Sequence, residues 1–78
     1  MKLKLSDYRR HAIPVIERVI KMRPERQPID IIGDLAIATN CHIILVAHYL
    51  SELHGKTTQL TNLIERLMEF YKIDEVIE

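Results

Sequence analysis

Residues 41 to 50, Cys-His-Ile-Ile-Leu-Val-Ala-His-Tyr-Leu, form the most apolar run of the chain, and no Lys or Arg occurs anywhere from residue 27 to residue 55. Apolar surface of that density must leave water, so any fold open to this chain has to cover the run. The chain has 78 residues, which make one domain at most. A domain of that size buries a smaller share of its surface than a large one, and its core is marginal. Cys41 is the only cysteine, so neither a disulfide framework nor a cysteine-rich metal site is available to staple it. Small domains without staples often complete their cores by associating.

The opening Met1-Lys2-Leu3-Lys4-Leu5 is followed by charges and not by an apolar leader segment. No run approaches the roughly 18 apolar residues of a membrane span. A lone cysteine in apolar context suits a reducing compartment. The expectation is a cytoplasmic protein with no membrane partner.

Charge is balanced overall and segregated along the chain. Residues 1 to 26 carry eight bases (Lys2, Lys4, Arg9, Arg10, Arg18, Lys21, Arg23 and Arg26) against three acids, and the remainder carries three bases against eight acids. Asymmetry of this kind points to a basic region that meets nucleic acid or an acidic protein surface, or to two poles that face each other within one molecule or across a dimer.

Four helices are expected. Residues 1 to 5 alternate apolar and basic, a short strand pattern or a frayed end. Ser6 is a candidate cap for a first turn of helix. Pro14 is costly inside a helix and cheap at its start, so the first helix begins near Pro14 or bends there. Val15, Ile16, Val19, Ile20 and Met22 share its apolar side, and Arg23-Pro24 ends it. Pro28 opens a second helix with Ile31, Ile32, Leu35, Ala36 and Thr39 inward and Asp30 and Asp34 outward. Gly33 falls inside that helix, at a position where glycine commonly admits a close neighbour. The third helix spans residues 42 to 54 and stops at Gly55. Its core face is Ile43, Val46, Leu50 and Leu53, leaving Ile44 and Leu45 as a spare apolar edge, and a helix apolar almost all round is normally buried. A short strand at residues 42 to 47, giving an α+β fold, is the alternative. Thr57 or Thr58 caps a fourth helix, whose stripe Leu60, Leu63, Ile64, Leu67, Met68 and Tyr71 has Phe70 at its edge and stops at Lys72. Ile73, Val76 and Ile77 make an acidic, apolar tail over residues 73 to 78 that docks on its own core or on a partner. The fold class is thus all-α: a single small bundle over residues 1 to 78 with its central helix buried.

The polar residues assemble no chemistry. His42, His48 and His54 are six apart, about 120° from one to the next on a helix, and so share no ligand face. His48 and Glu52 stand one turn apart, but two ligands make no site. Asp30 with Asp34, and Glu65 with Glu69, have carboxylate-pair spacing that suits a solvated face or a basic partner better than acid–base work. Adjacent His42 points away from Cys41 on a helix, and two glycines make no phosphate loop. The reading is a non-enzymatic chain with no metal and no cofactor.

Two local stretches resemble known folds. Residues 35 to 50 are similar to a helix-turn-helix unit, with Ala36 as the small residue of its first helix, Asn40-Cys41 as the turn and Val46 as the apolar residue of its second. The resemblance implies two helices crossing at a turn. The recognition positions are Ile43, Ile44 and Leu45, which offer nothing to base edges, and no base in the unit serves phosphates. Residues 42 to 48 resemble a core strand of RecA-type helicase domains, but the chain is too short for that domain and lacks its phosphate loop.

The expected function is therefore protein–protein binding by a small helical adaptor, inhibitor or assembly factor, as a homodimer and with a further protein partner. Small accessory proteins of phages and mobile elements share this build. The expected contact residues are Ile44, Leu45, His48, Ile73, Val76 and Ile77. The alternative is a DNA- or RNA-binding regulator that uses the eight bases of residues 1 to 26.

Overall fold

A computed structural model describes all residues from Met1 to Glu78. The element order is β1 (Lys2–Lys4), α1 (Arg9–Met22), a 3₁₀ turn (Pro28–Ile31), α2 (Ile32–Thr39), α3 (Ile43–His54), α4 (Thr58–Tyr71) and β2 (Glu75–Ile77). The expected bundle of four helices is present, and residues 42 to 47 are helix, not strand. The strand content lies at the two ends, where β1 and β2 pair in parallel with Leu3 opposite Val76.

Helix α3 is the axis of the packing. Ile44, Leu45, Val46, Ala47, Tyr49 and Leu50 are all buried. Helices α1, α2 and α4 and the 3₁₀ turn all pack against it. The segments Pro28–Thr39 and Ile43–His54 meet at 119°. That angle, with a short break, is the crossing of a helix-turn-helix unit. The break is built by Asn40, which takes the left-handed conformation at φ 55° and donates its backbone N–H to the carbonyls of Ala36 and Ile37. Asparagine tolerates that conformation better than most residues. His42 then caps α3, its Nδ1 accepting from the Ile44 amide at 3.2 Å, and Gly55 ends the helix at φ 82°. Thr57 caps α4 by accepting from the Leu60 amide at 3.1 Å.

Several expectations need correction. Helix α1 begins at Arg9, five residues before Pro14, and runs through it. Its N-cap is Tyr8 at φ 63°, with no side-chain cap, and Ser6 lies outside the helix. Burial of Ala12 in the core holds this early turn in place against the proline's cost. Met22 is exposed, since it lies about 200° round the axis from Ile20. Gly33 admits no neighbour, because a Cβ there would meet nothing within 4 Å. The division of α3 into a core face and a spare edge also fails: Ile44 and Leu45 are core, and Ile43 and Leu53 are only partly buried. The surrounding elements enclose the helix on more sides than a single stripe anticipates.

Candidate interaction surface

The expected contact residues are divided by burial. Leu45 is 4% exposed, Ile44 and Ile73 are equally inaccessible, and Val76 is half-buried against the core. Ile73 and Val76 show that the tail docks on its own chain, so these residues offer a partner little. Of the six, Ile77 is exposed and His48 and Val76 are partly open to solvent.

The bases are divided by pairing. Arg9 meets Glu52 at 3.0 Å, Lys2 meets Glu75 at 3.8 Å, and Arg23 binds Asp34. The Met1 amino group lies 3.0 Å from Asp74. All four ion pairs join residues 1 to 26 to acids later in the chain, so the two charge poles face each other within the molecule. Lys4, Arg10, Arg18, Lys21 and Arg26 are exposed and have no ion-pair partner. Helix α3, the second helix of the helix-turn-helix-like unit, has Ile44, Leu45, Val46, Ala47, Tyr49 and Leu50 buried.

Two polar side chains are tuned by burial. Tyr49 is fully buried, and its hydroxyl lies 2.8 Å from the Leu5 carbonyl and 2.6 Å from that of Asp7, sharing its one proton between them. Burial first, then the neighbouring Cys41, Glu52 and Asp7, pushes the phenol up to about 12, with Arg9 opposing. His48 sits half-buried between two shallow depressions, one walled by Ser51, Thr61 and Ile64 and the other by Leu5, Val76 and Glu78. Its Nε2 is buried without a partner. Burial and then the Lys56 ammonium hold it below the ordinary histidine value, against the pull of Glu52. The neutral ring is therefore favoured in the fold, a stabilisation present above pH 6.5 and lost as pH falls through the lowered value. Cys41 is buried with its Sγ 3.5 Å from the Thr39 carbonyl, which leaves it no access to a substrate. No group of three His, Cys, Asp or Glu side chains converges on one point.

Open apolar surface lies elsewhere, in Ile37 on α2, in Met22 at the end of α1 and along α4. Of its stripe only Leu60 is buried, and Leu63, Ile64, Leu67 and Met68 are half-covered. At its end Phe70 is 76% exposed and Tyr71 43%. These rings form a row: Phe70 stands edge-on to Tyr71 at 4.9 Å, and Tyr71 edge-on to His42 at 4.7 Å. Sequence reasoning put Phe70 at the edge of the stripe and passed over it. The signal was present, since Phe70 lies off the apolar stripe of its helix. On the same side, a groove of about 320 Å³ separates the 3₁₀ turn and α2 from α4. Its walls include Ile29, Ile32 and Leu63, with Asp30 and Arg66 among its polar residues.

Comparison with protein-family models, curated proteins and solved structures finds no significant match to this chain. No single helix is long and apolar enough to cross a membrane.

Proposed function

We propose that this chain is a non-enzymatic protein-binding module whose contact surface is the exposed side of α4. The observation that carries this reading is the aromatic row of His42, Tyr71 and Phe70, with Phe70 three-quarters exposed beside a half-covered apolar stripe. Exposed aromatic surface of this kind is characteristic of interface centres, where aromatic anchors dominate the binding energy. Adaptor, inhibitor and assembly factor all remain within it, and a cytoplasmic setting suits the free cysteine. The surface replaces Ile44, Leu45 and Ile73, which serve the chain's own core. The nucleic-acid reading rests on the five unpaired bases, of which Arg10, Arg18 and Lys21 lie on the outer side of α1. It is the weaker of the two, since Lys2, Arg9 and Arg23 are already engaged by acids of the same chain.

Photo-crosslinking separates the two. A benzoylphenylalanine is placed at position 70 on α4 or at position 17 on the basic side of α1, and the protein is irradiated in its producing cells. Protein adducts from position 70, and few from position 17, are the expected result. Nucleic-acid adducts from position 17 with none of any kind from position 70 overturn the reading.

A further inference from the structure

The groove and Phe70 lie along one side of α4, and that is the basis of the inference. The groove between the 3₁₀ turn, α2 and α4 has Ile29, Ile32 and Leu63 on its apolar side and Gln59 and Asn62 on its polar side. Asp30 and Arg66, opposite in sign, also line it, and neither has an ion-pair partner within the chain. Phe70 follows Arg66 by one helical turn, so the plug and the base share one side of α4. A partner that fills this groove with an aromatic side chain and meets Asp30 with a cation one turn away needs the pattern that α4 itself carries.

We infer that the occupant is a second copy of this chain, paired about a two-fold axis. Phe70 of each copy enters the groove of the other, and Asp30 of each meets Arg66 of the other. A two-fold contact is self-complementary, so each favourable pairing occurs twice. The zero net charge of the chain leaves no long-range repulsion between copies. The inference rests on the reading of the α4 side as an interaction surface and adds the identity of the partner and the pairing.

The test is sedimentation equilibrium over a wide concentration range, with circular dichroism to verify that each variant folds. The wild-type chain is expected to rise from 9.2 kDa towards twice that mass. Phe70→Ser is expected to weaken association by about thirty-fold. Asp30→Arg alone and Arg66→Asp alone each set like charges against each other at both contacts, and each is expected to weaken association by about tenfold. An equimolar mixture of those two single variants restores unlike charges at both contacts and is expected to regain the wild-type association. No effect confined within one chain is cured by mixing. A wild-type chain that keeps its single-chain mass throughout, or a mixture no heavier than either variant alone, overturns the inference. A single-chain mass together with protein adducts from position 70 overturns self-pairing and leaves the α4 surface standing, whereas a single-chain mass without such adducts removes both.

Discussion

Tyr49 ties the start of the chain to its centre. Its buried side chain donates its hydroxyl to the carbonyls of Leu5 and Asp7, more than forty residues away in sequence. Tyr49→Phe leaves the buried Leu5 carbonyl unsatisfied and is expected to cost about 1–3 kcal/mol in denaturant unfolding. The same hydroxyl makes the fold sensitive to alkali. The unfolded chain releases the phenol proton near the ordinary value of 10, while the folded chain keeps it to about 12. The stabilisation is complete below pH 10 and is lost as pH rises through about 12, an effect on the order of 2 kcal/mol. The difference in stability between wild type and Tyr49→Phe should shrink over that window. A difference that stays constant from pH 9 to 12 contradicts the assignment.

At the scale of the element, the helices form where periodicity and caps agree. Thr57, His42 and Gly55 bound α3 and α4 where their chemistry places them, because a cap acts on backbone groups within three residues. Helix α1 is different. Its first turns owe their stability to burial of Ala12 and to the fastening of Leu5, both long-range, so the local signal before Pro14 placed the cap at Ser6 and left the start of the helix open. Helix α2 carries an avoidable cost in Gly33, which is exposed, helical and free of any close contact. Gly33→Ala is expected to stabilise the protein by about 1 kcal/mol and to raise the thermal midpoint by about 4–8 °C. A lowered midpoint contradicts the open surroundings of this residue.

At the scale of the molecule, one helix serves as the core and everything else covers it. Leu45→Glu sets a carboxylate among buried apolar side chains with no partner, and the cost is several kcal/mol. The expected outcome is loss of cooperative unfolding by circular dichroism, with no folded single-chain species surviving. A folded variant whose only change is a lower mass would return Leu45 to the surface. The ion pairs between the two charge poles are all largely exposed, so each contributes at most about 1 kcal/mol, and they orient the ends more than they hold the fold.

The sequence by itself determined the four helices, most of their ends, the burial of the central run and the crossing at Asn40, because those depend on local spacing, caps and one conspicuous apolar segment. It also contained the charge poles, and four ion pairs now join them within the chain. Only the tertiary structure decided which apolar residues were spare. A helical stripe gives the direction a side chain points, not how many neighbours arrive to cover it. Ile44 and Leu45 left the expected stripe and were enclosed from several sides. Tyr71 closed a good stripe with Phe70 at its edge, and both were left open, because α4 is buried only at Leu60 near its start and no other element covers its far end.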